Sequence, residues 1–222
     1  MEKTKTVGII IVILRFGILA LIIINLVWAF PVMTNSGKDE PSERFEIASN
    51  PTGSDEKCIE YLEKFTNEEI GVYEAFDFKM KNIHKYSLGL ICLLIIQPCL
   101  FLLLAIIFAL IKNICFNGKG GDSLFDLIGS WKYLSFALVC LFFGLLEANY
   151  NKSKNKEFED FSKCSFIDSD EFSETYDNIF KVIKNMRKLE ITLIVYIALF
   201  AISALLQDFC FKKSKDNEVY ND

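Results

Sequence analysis

The chain has 222 residues, 52% of them hydrophobic, and a formal net charge of −5. The apolar residues are gathered into long runs and the charges are pushed between them, which is the patterning of a bilayer protein. Little sequence remains for a soluble core, because the largest piece outside those runs is below the size at which a core alone is reliably stabilising. No nucleic-acid partner is expected.

In chain order the apolar runs are 7–30, 88–111, 131–148 and 191–209. A helix needs about 20 apolar residues to cross the hydrocarbon. The chain therefore reads as a single all-α four-pass membrane domain, with outer loops 31–87 and 149–190, a middle loop 112–130 and a tail 210–222. The first run is too long for a signal peptide, and Val27-Trp-Ala-Phe-Pro31 lacks a small-x-small cleavage site, so it reads as a retained anchor. Arg15 lies about two turns inside it, close enough to one surface to snorkel.

Basic residues close to the spans tie between the two sides. The lysines ahead of the first span and the acidic large loops favour both termini in the cytosol. The expected location is a plasma or secretory-pathway membrane. On that topology Cys58 and Cys164 fall one per outer loop and are expected to form a disulfide in an oxidising compartment. Cys115 and Cys210 each follow an even-numbered span and are juxtamembrane candidates for palmitoylation. Cys92, Cys99 and Cys140 lie in the spans and read as packing residues.

An internal repeat runs through the loops. Residues 66–91 align with 169–194 at constant offset, most clearly Lys81-Asn-Ile-His-Lys-Tyr86 against Lys184-Asn-Met-Arg-Lys-Leu189. Both copies lead into an apolar run entered in the same direction, as expected for two duplicated helical hairpins. Thr66 and Ser169 are N-cap residue types, and no proline interrupts either segment before its span. Each copy is expected to continue as one unbroken helix into the membrane, with Gly71 the weak point of the first. Tyr73, Phe76, Met80 and Ile83 form one apolar stripe, and Tyr176, Ile179, Ile183 and Met186 repeat it in register. The two stripes are expected to cover each other as a parallel stalk rising from helices 2 and 4.

The rest of the loops is less patterned. Residues 31–53 read as an irregular linker and 149–163 as a charged, mobile segment. Asn151-Lys-Ser153 is a glycosylation sequon close to the end of the third span. Gly144 with Ala148, and Ala105 with Ala109, are small residues four apart that permit close helix contact. Gln97-Pro98 reads as a kink in the second span.

Enzymatic chemistry finds no foothold. His84 is the single histidine and sits in a basic cluster, there is no Cys-x-x-Cys, and Gly118-Lys-Gly-Gly121 lacks phosphate-loop spacing. No catalytic, cofactor-binding or metal residues are assigned, and no cofactor is expected. Four spans with two outer loops resemble tetraspanins, claudins and connexins in layout. The tetraspanin Cys-Cys-Gly and the claudin Trp/Cys signature are absent, and each outer loop carries one cysteine where connexins carry three, so no family is assigned. The expected function is that of a non-enzymatic adhesion, scaffold or auxiliary subunit working through its stalk. Its partners would be the lipid bilayer and other membrane subunits or a second copy. The alternative is a subunit of an oligomeric channel or small transporter with Arg15, Asn25 and Gln97 along a path.

Overall fold

The computed structural model describes residues 2–41, 56–67, 70–115, 122–165 and 167–219; over 2–8, 62, 66–67, 100–102, 104–105, 108–115, 122–132 and 208–219 it describes the helix alone. Among the described residues the chain is all α-helical. The helices are α1 (Glu2–Ser36), α2 (Glu56–Asn67), α3 (Val72–Ala75), α4 (Met80–Cys115), α5 (Asp122–Asn149), α6 (Lys152–Phe161), α7 (Ser169–Thr175) and α8 (Asp177–Val219).

Among the described residues two stretches are long and apolar enough to cross a membrane, Ile9–Ser36 and Asp177–Gln207. A third is reached if Tyr133–Asn149 and Lys152–Phe161, bent by 41°, count as one. The charges of Lys152, Lys154, Lys156, Glu157, Glu159 and Asp160 are costly in hydrocarbon, which argues against α6 as part of a span. Much of the expected second span, 88–111, has side chains outside the described residues.

The chain divides into two compact units, Met1–Trp28 with Arg187–Asp222, and Ala29–Met186. In the first, α1 and α8 run antiparallel: Gly17 lies against Leu199, Asn25 against Thr192 and Trp28 against Lys188. The buried side of α8 there is Leu189, Leu193, Tyr196, Phe200 and Ser203, at alternating steps of four and three that hold one seam. Outward lie Ile13, Phe16, Ile23, Ile191 and Leu205, each more than half exposed, as suits helices apolar all round whose solvent is lipid. Arg15 is on this exposed side.

Within the second unit α4 and α5 are also antiparallel. Asn82 Nδ2 donates to Asn149 Oδ1 at 3.0 Å, and Tyr86 meets the Phe142 ring edge-on at 6.5 Å. Phe142 lies so close over Gly89 that a Cβ there would overlap the ring. Gly144 has open space around its Cβ direction and is exposed, so the small-residue pair Gly144/Ala148 does not make the α4–α5 contact; Gly89 does. Cys92 and Cys99 are exposed rather than packed inside, and Cys140 is half-buried.

Three further expectations need correction. The helix expected to run unbroken from Thr66 is interrupted: α2 ends at Asn67, Gly71 is extended ahead of the single turn α3, and Asp77 has a φ of 50° before α4 begins at Met80. An L-residue at positive φ ends helical hydrogen bonding, and Phe78 N instead donates to Tyr73 O at 2.7 Å. In the second copy the break falls at Tyr176, and Asp168 caps α7 in place of Ser169 by accepting from the Asp170 and Glu171 amides. The segment 149–163, expected to be mobile, holds α6, because Phe158 and Phe161 share a buried stripe opposite its charges. The first helix runs on through Pro31 to Ser36, where the Pro31 carbonyl accepts from Thr34 Oγ1 and Asn35 Nδ2.

Candidate functional site

The second unit is organised around rings and one covalent bond. Cys58 in α2 and Cys164 after α6 are joined as a disulfide, with Cα atoms 6.1 Å apart. On α2, Cys58, Tyr61 and Phe65 share one stripe, three and four residues apart. Tyr61 stacks on Phe76 at 4.9 Å and meets Phe161 at 5.3 Å, while Phe65 stacks on Phe161 at 5.2 Å. Beneath them Phe158 of α6 is fully buried and touches Phe78, Phe172 and Phe180 at 5.2, 5.5 and 5.0 Å. Rings from five segments thus converge, each pair worth about 0.5–1.5 kcal/mol beyond its buried area.

Polar groups fix the edges of this cluster. The Tyr61 hydroxyl donates to Glu157 Oε2 at 2.8 Å, and Lys154 Nζ donates to the same oxygen at 2.9 Å. Burial, reinforced by the bond to Glu157, raises the Tyr61 phenol above its ordinary value. The Lys154 and Tyr61 hydrogen bonds lower the Glu157 carboxyl. Over the disulfide a cleft of about 920 Å³ opens, lined by Lys57, Tyr61, Lys154, Glu157 and Lys163 among others.

A second polar chain joins three segments. Glu40 Oε1 accepts from the Tyr73 amide at 2.8 Å, and the Tyr73 hydroxyl accepts from Asn178 Nδ2 at 2.6 Å. Burial raises the Tyr73 phenol. The Glu40 carboxylate occupies the space a Cβ at Gly71 would need. His84 closes the end of α1: its Nδ1 lies 2.8 Å from the Met33 carbonyl, which can only accept, so this nitrogen carries the proton. The ring fills the space beside Gly37, where a Cβ would clash.

Of the expected stripe residues, Phe76, Met80, Ile83, Tyr176, Ile179, Ile183 and Met186 are buried and Tyr73 is half-buried. The ring partners of Phe76 and Tyr176 include Phe158, and Phe76 also meets rings of α2, so the stripes serve a wider cluster than a two-helix seam. Asn151 is exposed and caps α6, its Oδ1 accepting from Ser153 N, Ser153 Oγ and Lys154 N. The side chains of Cys115 and Cys210 lie outside the described residues. Arg15 and Asn25 belong to the first unit and Gln97 to the second. Among the described residues no group of three or more His, Cys, Asp or Glu is placed to hold a metal.

Sequence reasoning missed α2 and α6 as partners of the stripes. The signal was present as aromatic residues three or four apart inside charged segments, Tyr61 with Phe65 and Phe158 with Phe161. The chain matches no family model, no curated protein and no solved structure.

Proposed function

We propose that the chain is a four-pass membrane protein, with spans near 7–30, 88–111, 131–148 and 191–209, that serves as a non-enzymatic adhesion, scaffold or auxiliary subunit. The observation that carries this reading is the disulfide-joined aromatic unit formed by the two loop regions. It ties the two loop regions into one packed unit that could present a defined outer surface to a partner. Both termini are cytosolic and this unit faces the oxidising side, in keeping with its cysteine bridge. Cys115 and Cys210 would then meet the cytosolic acylation machinery, and Asn151 would be on the glycosylating side.

The paired stalk is part of the same reading. It is supported by the burial of both stripes and by the Tyr73–Asn178 bond between the two copies. The breaks before α4 and α8 fall at different places in the two repeats, so the duplication lies in the stripes and the helices that follow rather than in every turn.

Native purification followed by imaging tests the function. The scaffold reading expects one or two copies bound stoichiometrically to other membrane subunits. A ring of copies around a central path would replace it with the channel reading.

A further inference from the structure

We propose that the Cys58–Cys164 bridge is a redox-sensitive latch, whose reduction releases α2 from the aromatic cluster and uncovers Phe76 and Phe161 while the rest of the cluster stays in place. The proposal goes beyond the scaffold reading and does not depend on it.

Helix α2 is 12 residues long, too short to persist alone in water. Glu56, Lys57, Glu60, Glu63 and Lys64 cover most of its surface with charge. Its noncovalent attachments include the rings of Tyr61 and Phe65 and the bond from Tyr61 to Glu157. Ordering a dozen residues carries a large entropic cost that such contacts must offset. The disulfide changes that balance. It emerges from the same stripe as both rings, so it holds the apolar face of α2 against the cluster at high effective concentration.

The layer beneath does not rely on α2. Phe158 meets Phe78, Phe172 and Phe180, and α6 carries its own Asn151 cap. Phe76 and Phe161 differ: both are buried, at 0% and 2% exposure, and Tyr61 meets both while Phe65 stacks on Phe161. Lifting α2 therefore opens an aromatic floor.

Both cysteines line the open cleft that holds Lys57, and Cys58, half-buried, is the more exposed of the two, with Cys164 at 5%. A dithiol reductant would attack Cys58 Sγ as its thiolate. The S–S bond breaks, and its electron pair leaves on Cys164 Sγ, which takes a proton from water. The second thiol of the reductant then displaces Cys58. The bridge gains two electrons and two protons, and the reductant becomes a disulfide.

The test is hydrogen–deuterium exchange on the full chain in lipid nanodiscs, before and after dithiothreitol without denaturant, with iodoacetamide mapping of both cysteines. Reduction is expected to label Cys58 and Cys164 and to speed exchange in 56–67 by about 100-fold or more, with 152–161 nearly unchanged. Labelled cysteines with α2 still protected would overturn the proposal. So would a bridge that resists dithiothreitol, or loss of protection in 152–161 together with α2. The Cys58→Ser/Cys164→Ser variant should exchange like the reduced protein; if that variant does not fold, the reduced natural chain decides.

Discussion

The Tyr61 hydroxyl and the Glu157 carboxylate, 96 residues apart in sequence, meet at 2.8 Å and shift each other's titration in opposite directions. Glu157 is lowered from the ordinary 4.5, so its contribution to stability is complete above about that pH and is lost as pH falls through the lower folded value. Tyr61 is raised from 10.0, so its contribution is complete below about pH 10 and is lost as pH rises toward the higher folded value. Thermal unfolding should therefore show a plateau with a fall at each end. Tyr61→Phe keeps the stacked ring, shrinks the alkaline fall to the part that Tyr73 supplies, and lowers stability by about 1 kcal/mol at neutral pH. An unchanged alkaline limb in that variant would contradict the assignment.

Gly89 is where α5 comes closest to α4, under the Phe142 ring. Gly89→Ala should destabilise the protein by about 1–3 kcal/mol, since the ring must move or the helices separate. Gly144→Ala, with open space around it, should stay within about 0.5 kcal/mol. Thermal unfolding in detergent separates the two. Equal effects would mean that the tight contact between the helices is elsewhere.

Asn25 is completely buried in the first unit. Its Oδ1 accepts from Thr192 Oγ1 at 2.5 Å, and its Nδ2 has no hydrogen-bond partner. Thr192→Val strands the whole amide and should cost about 1–2 kcal/mol. Adding Asn25→Leu removes the stranded group, so the double variant should be more stable than Thr192→Val alone. A double variant weaker than the single would show that Asn25 has a further role in the pairing of α1 with α8.

Cysteines placed at Met80 and Ile183, both buried, should crosslink efficiently if the stripes share a seam. Cysteines at Lys81 and Lys184, both exposed, should not. Mass spectrometry of the purified protein reads the yield, and the reverse pattern would remove the stalk.

Long-period features were legible in the sequence, and short-range interruptions were not. The apolar stretches Ile9–Ser36 and Asp177–Gln207 announce themselves because hydrocarbon tolerates few charges over that length. The stripes from Tyr73 and Tyr176 follow from spacing alone. The break at Asp77 depends on one residue at positive φ, which a non-glycine sequence seldom signals. Helix α6 was obscured by its charge: Phe158 and Phe161 are two apolar residues among lysines and acids, and their burial depends on rings from distant segments. His84 offered no local pattern, because its partner is the Met33 carbonyl, 51 residues away.

Topology mapping tests the central claim most directly. Short epitope tags at residue 1, near Asn50 and at residue 222 are probed in intact and then permeabilised cells. The account predicts that the tag near Asn50 is accessible in intact cells and that both terminal tags appear only after permeabilisation. Accessible terminal tags with a protected loop tag would contradict it, and would place the Cys58–Cys164 platform on the reducing side.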